Sequence, residues 1–246
     1  MGIVEWATSP WGQHVPIHIA WFLIWVAAIA GVFFLVIARG SPTPSVNDGA
    51  SAFAPYVDAT LTPTYPFEVP SADPVNHLVL GFIVAAPRAS CTPSWGGYYT
   101  LPAAESALNL DERIAQVEQQ GGNVMLSFGG RDHSELAVSC ATVPALTAAY
   151  LAPVERYRAG AIDFDIEGAA VADTAANLRR ARAIAAVQHS EAARGHHLKV
   201  WLTLPVARDG LDAQALAIIT SLLDAHVALS GVNVLAMDFA LCRHTG

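Results

Sequence analysis

Lysine is nearly missing from this sequence: Lys199 stands alone beside twelve arginines. Charged residues of all kinds make up only 14% of the 246 residues, and hydrophobic ones 53%, which excludes a disordered, solvated polymer. Acids outnumber bases 21 to 13, for a net charge of -8, and the bases do not cluster. A nucleic-acid partner is therefore not expected. Three cysteines are too few for a disulfide-dense scaffold or a four-thiolate zinc site. No repeat of fixed period occurs, which excludes a solenoid or propeller. Neither G-x-G-x-x-G nor G-x-x-x-x-G-K-[ST] is present, so no glycine-rich phosphate cradle is expected.

What is there begins with a long apolar run. No Asp, Glu, Lys or Arg lies between Glu5 and Arg39, and residues 17–38 (IHIAWFLIWVAAIAGVFFLVIA) are apolar on all sides. About 20 such residues span a hydrocarbon core. Trp6, Trp11, Trp21 and Trp25 lie in or before the run, and Trp11 suits an interfacial position. A cleavable signal peptide normally has a basic leader and a shorter core, both lacking here. The expectation is an uncleaved N-terminal transmembrane helix within residues 1–39, with a secreted domain as the outcome if residues 1–40 are removed. Arg39 alone places the remainder in the cytoplasm by the positive-inside rule. Residues 40–50 (GSPTPSVNDGA) read as a flexible linker, so the folded domain is expected over 51–246.

From there strands and helices alternate. Strands are expected at Phe53–Leu61, His77–Ala85, Asn123–Phe128, Ala161–Ile166, Leu198–Leu204 and Gly231–Met237. Helices are expected at Leu108–Gln120, Val143–Tyr157, Asp173–Ala193 (with arginines on its outer face) and Asp212–Ala228. Apolar strands separated by helices imply a covered parallel sheet. Asp58, Ser127, Asp163, Asp165, Glu167 and Asp238 sit in or at the ends of several strands. Catalytic groups at several strand ends favour a (β/α)8 barrel of the TIM type over a doubly wound sheet.

The segment Gly160–Gly168 (GAIDFDIEG) is the most informative. Asp163, Asp165 and Glu167 are spaced by two, so a strand points all three one way and Ile162, Phe164 and Ile166 the other. Neighbouring acids on that face are roughly 6–7 Å apart. At an effective dielectric of about 20 such a pair repels by roughly 2.5 kcal/mol. At least one carboxyl should then hold its proton more tightly, as a general acid requires. Glu167, nearest the C-terminal end of the strand, is the expected proton donor. Hard cations also favour carboxylates, and a magnesium or calcium site is the rival reading.

The run D-F-D-I-E resembles the D-x-x-D-x-D-x-E signature of glycoside hydrolase family 18, the chitinases, with Gly160 where the family has its first acid. Leu126–Gly130 (LSFGG) resembles the family's S-x-G-G strand. Val232–Phe239 (VNVLAMDF) resembles its later V-N-x-M-x-M-D-Y strand. The segments SCTPSWGG and ELAVSC resemble a bacterial and archaeal branch. The resemblance spans about Phe53 to Phe239. It implies hydrolysis of β-1,4 bonds in chitin or another N-acetylglucosamine-containing polysaccharide, with retention and with the substrate's own acetamido oxygen as nucleophile. Glu167 would protonate the leaving oxygen, Asp165 would orient the acetamido group, and Asp163 would hold Asp165. Ser127 and Gly129 would leave room beside the acids, and Met237 and Asp238 would line the sugar subsite. This chemistry needs no metal and no organic cofactor.

Tyr56, at the end of the first strand, and Trp95, in a glycine-rich loop, are further candidates for sugar contact. Cys91 and Cys140 fall in loops after neighbouring strands, and a disulfide between them is expected. It would place a membrane-anchored domain outside the cytosol, against the hint from Arg39. Two other readings stand beside the enzyme: a non-catalytic carbohydrate-binding barrel, and an inactive truncated product. Cleavage of wall polymers or N-glycan cores is a further variant. The truncated reading follows from strand count. Six strands are counted where a full barrel has eight, so strands one and six are expected to have open edges and residues 51–246 to be poorly soluble alone.

Overall fold

The structure is a computed structural model that describes residues 53–69 and 77–237. The expected membrane helix, the linker, Asp238 and Phe239 lie outside the described residues. Among the described residues, no helix is long and apolar enough to cross a membrane.

Six strands run parallel in chain order: β1 (Tyr56–Asp58), β2 (His77–Ala86), β5 (Asn123–Gly129), β6 (Ala161–Asp165), β7 (Lys199–Pro205) and β8 (Leu229–Leu235). All six expected strands are present. Two more were not expected. β3 (Ala89–Trp95) folds back antiparallel on the C-terminal half of β2, and β4 (Tyr99–Thr100) pairs with β3. Their sequence, ASCTPSW, is polar and contains Pro93, so it carries no strand pattern. Among the described residues β1 pairs with β2 alone and β8 with β7 alone, leaving the sheet open on those sides.

Helices fill the connections. α1 (Leu101–Leu108) was not expected, and α2 (Leu110–Gln119) falls within the helix expected at Leu108–Gln120. Asn109 divides them in a left-handed conformation, with φ 50°. The brief α3 (Leu136–Ser139) precedes α4 (Val143–Tyr157), whose bounds match expectation. The equally brief α5 (Ala169–Ala172) precedes α6 (Thr174–Ala193), and α7 (Ala213–Asp224) follows β7. Each long helix starts at a side-chain cap: Thr142 accepts from the Ala145 amide, Asp173 from Ala176 and Asp212 from Ala215.

The sheet has two chemically distinct faces. Leu126, Phe128, Ile162, Phe164, Val200 and Leu202 are fully buried and pack with Ile114, Tyr150, Ile184 and Ile218 of the helices. Phe128, Phe164 and Tyr150 form an aromatic triangle with centroids 5.0–5.2 Å apart. Each such pair adds about 0.5–1.5 kcal/mol beyond its buried area. The other face carries the polar series. Register places Ser127, Asp163, Trp201 and Gly231 in one row, and Gly129, Asp165, Thr203 and Asn233 in another. Gly231 is needed in the first row because a Cβ there would lie 2.2 Å from the Trp201 ring.

The arginines of α6 correct an expectation. Arg182 is exposed, but Arg180 is 0% exposed and Arg179 is half-buried. Helical period alone put them outside; the partner that draws Arg180 in, Glu135, is distant in sequence.

Candidate active site

The acids of β6 occupy the inner face, as their spacing requires. Asp163 is 0% and Asp165 4% exposed, whereas Glu167 is half-buried just beyond the end of the strand. Gly168 follows at φ 55° and turns the chain into α5.

Asp163 is ringed by hydroxyls. Ser127 Oγ donates to its Oδ2 at 2.7 Å, Tyr56 OH to the same oxygen at 3.1 Å, and Thr203 Oγ1 to Oδ1 at 2.8 Å. The Tyr56 and Thr203 oxygens also lie 2.7 Å apart. The triangle Tyr56–Thr203–Asp163 thus has three short contacts and two hydroxyl hydrogens; a proton on Asp163 completes it. Asn233 Nδ2 supports Thr203 at 3.3 Å. Burial pushes the Asp163 carboxyl up to about 6, against the pull of the three hydroxyls. Burial and the adjacent Asp163 charge also raise the Tyr56 phenol, which keeps its proton.

Asp165 is held differently. One of its carboxyl oxygens, Oδ1, is buried with no partner among the described residues. Burial raises its carboxyl to about 8, followed by repulsion from Glu167 and Asp163 and a hydrogen bond with Glu167. The expected tightening of a proton in this cluster therefore falls on the aspartates.

The glycines of LSFGG are explained by Asp165. The Gly130 amide donates to the Asp165 carbonyl at 2.8 Å, and a Cβ on Gly129 (φ 98°) would lie 2.2 Å from that oxygen. No side chain fits there. Gly160, where the family has an acid, borders open space, with nothing within 4 Å of a built Cβ.

Not every expected residue joins the site. Trp95 is a correction: it is 0% exposed in β3, its Nε1 donating to Tyr157 OH at 2.9 Å, so it is a core residue and has no face for a sugar. The sequence points to a loop here because β3 has no strand pattern. The exposed aromatic of that turn is Tyr98, set edge-to-face on His133 at 5.4 Å. Met237 is exposed beyond the end of β8. Asp58 is occupied by the Thr60 amide and hydroxyl at 2.8 and 2.7 Å. Thr203 and Asn233 were missed, although a lone threonine among the apolar residues of LKVWLTL sits in phase with Trp201 and signals the polar face. Cys91 and Cys140 form the expected disulfide, with Cα atoms 4.7 Å apart. Among the described residues no group of three or more His, Cys, Asp or Glu is placed to hold a metal ion.

No protein-family model matches the chain. A probable bifunctional chitinase/lysozyme of Escherichia coli (strain K12) is 36% identical over 205 residues, which is 82% of this chain and 22% of that protein. Endochitinase 11 of Metarhizium anisopliae is 32% identical over 205 residues, 82% of this chain and 38% of that protein. The chain therefore spans less than half the length of either curated relative. Among solved structures, the catalytic domain of a hyperthermophilic chitinase from Pyrococcus furiosus superposes with a TM-score of 0.63 at 25% identity, covering 76% of this chain and 57% of that one. A family 18 chitinase from Chromobacterium violaceum shares the fold, with a TM-score of 0.53 at 22% identity over 74% of this chain and 49% of that one. Together with the acidic strand, the glycine pair and the hydroxyl ring, these likenesses identify the chain as a member of the chitinase-like glycoside hydrolase family 18.

Proposed function

We propose that the cleft at the C-terminal end of β6 hydrolyses β-1,4 bonds between N-acetylglucosamine units, as in chitin, by substrate-assisted catalysis with retention. The observation that carries this is the pairing of a half-buried Glu167, just beyond the end of β6, with a buried Asp165 on the same face whose Oδ1 has no partner among the described residues. Glu167 gives the glycosidic oxygen the proton it shares with Asp165, which leaves Asp165 charged. The acetamido oxygen of the sugar then bonds to the anomeric carbon, and the leaving sugar departs with the proton. Asp165 accepts the acetamido N–H and steadies the positive charge that develops there. Asp163, fixed by its three hydroxyl donors, holds Asp165 in place and tunes its proton. Water then opens the intermediate on the same face, with Glu167 as base.

The test is fluorophore release from N-acetylglucosamine oligomers by the wild type and Glu167→Gln, with oligomer binding measured beside it. Glu167→Gln is expected to lower turnover by about 10²–10⁴-fold while keeping affinity within a few fold. Equal turnover in the two proteins overturns the reading. Binding without any wild-type turnover favours a carbohydrate-binding barrel instead.

The same reading places the domain outside the cytosol, tethered through residues 17–38. The Cys91–Cys140 bond supports this, because cytosolic thiols are kept reduced. Alkylation of protein taken from intact host cells should leave both cysteines unlabelled until reduction; labelling before reduction overturns the placement.

A further inference from the structure

Glu135 and Arg180 form an ion pair withdrawn from water, behind the inner face that carries the acids. Arg180 Nε donates to Glu135 Oε1 at 2.7 Å, a second guanidinium nitrogen bonds Glu135 Oε2, and the third bonds Asn177 Oδ1. Asn177 passes the link on, its Nδ2 donating to the Val171 carbonyl at 2.9 Å. Val171 lies in α5, the short helix that follows Glu167 and Gly168. On its other side Glu135 ends the loop that leaves β5 through Gly129 and Gly130. That loop is fixed at both ends: the Gly130 amide bonds the Asp165 carbonyl, and the Ser134 carbonyl accepts the Ala85 amide at 2.9 Å. Arg179 adds a second clasp, donating twice to the Ala137 carbonyl at 3.1 and 2.8 Å. The first turns of α6 therefore grip both the loop lying on Asp165 and the segment carrying Glu167.

Two desolvated charges are a costly way to join these pieces, since apolar replacements of similar volume are often as stable or more so. What the bidentate fork adds is a fixed distance and plane. We propose that Glu135, Arg180 and Asn177 are positioning residues, which set the Glu167 segment relative to Asp165 so that proton donor and acetamido-binding carboxyl stay in register. This rests on the catalytic reading of Glu167 given above.

The test separates positioning from stability. The double variant Glu135→Leu/Arg180→Met removes both charges together, and Asn177→Ala cuts the link to α5 and its bond from Arg180 while leaving the Glu135–Arg180 pair. Because Asn177→Ala also takes an acceptor from Arg180, each variant is compared with the wild type in three measurements: thermal melting, kcat and KM on fluorogenic N-acetylglucosamine oligomers, and amide hydrogen exchange of residues 166–172. The double variant should melt within a few degrees of the wild type, lose about 10–100-fold in kcat with little change in KM, and exchange these amides at least tenfold faster. Asn177→Ala should move kcat and exchange the same way by a smaller factor. Wild-type kcat in a folded double variant, or wild-type kcat and exchange in Asn177→Ala, overturns the proposal. If the wild type releases no fluorophore, the catalytic reading fails separately, and exchange at 166–172 decides whether the joint sets this segment.

Discussion

Asp163 and Asp165 are the same residue type, two positions apart on one strand, on one face, and both removed from water. Their surroundings divide them. Asp163 accepts from three hydroxyls, which offset much of the cost of its burial and leave its carboxyl at about 6. Asp165 faces Glu167, has one oxygen unpartnered among the described residues, and is raised to about 8. Near neutral pH the first is the place to leave a charge and the second the place to keep a proton. Burial alone does not assign roles to paired acids; the inventory of donors around each does.

The sharpest way to break this comparison is to turn each acid into its amide. Asp165→Asn keeps a donor toward Glu167 but can neither give up a proton nor carry the charge that steadies the acetamido group. It is expected to lower kcat by about 10²–10³-fold, the scale of losing one preorganised electrostatic contact. Asp163→Asn keeps the shape of the hydroxyl ring and should cost less. Steady-state kinetics on one oligomer at one pH decides it, and a larger loss for Asp163→Asn reverses the assignment.

How much of this was legible in the sequence follows from where each partner lies along the chain. Period two on GAIDFDIEG set Asp163, Asp165 and Glu167 on one face, and the six parallel strands showed in their apolar runs. The cleft's acids were therefore readable locally. The partners were not. Tyr56 and Thr203 meet Asp163 across 107 and 40 residues, so a strand pattern could flag them as polar but not aim them. Burial of Arg180 is set by Glu135, 45 residues away, and amphipathic periodicity has no term for that. Trp95 went wrong for a related reason. β3 is held by β2 and by Tyr157, and nothing in ASCTPSW announces a strand. Which acid keeps a proton also waited on the structure, because like-charge spacing predicts that one does without saying which.

The hydroxyl ring gives a second, smaller test. Thr203→Val is nearly isosteric but removes one donor to Asp163 Oδ1, one contact to Tyr56 and the acceptor for Asn233. Leaving a buried carboxyl oxygen without its donor costs about 1–3 kcal/mol. Urea unfolding should show that loss at pH 7.5, with a smaller loss at pH 4.5, where a protonated Asp163 needs fewer donors. An equal loss at both would make Thr203 a packing residue and erase the distinction between the two aspartates.

The smallest effect concerns stability against pH. Asp165 has an unfolded-state pKa of about 3.9 and a folded value of about 8. Below pH 4 it is protonated in both states and contributes no pH dependence. Between about 4 and 8 the unfolded chain has released this proton while the folded chain still binds it, so raising the pH favours unfolding. Asp163 contributes in the same direction but only up to about 6. The interval between 6 and 8 therefore belongs to Asp165, and Asp165→Asn should flatten the fall in stability across it. One pKa unit is worth about 1.4 kcal/mol, so the flattening should reach at least about 1 kcal/mol between pH 6 and 8.5. Contributions from all other groups are common to both proteins and largely cancel in the difference. Urea midpoints at pH 5, 6 and 8.5 give the slopes directly. Parallel slopes for wild type and variant between pH 6 and 8.5 would show that Asp165 has already lost its proton near neutrality, and the difference between the two aspartates would reduce to hydrogen bonding alone.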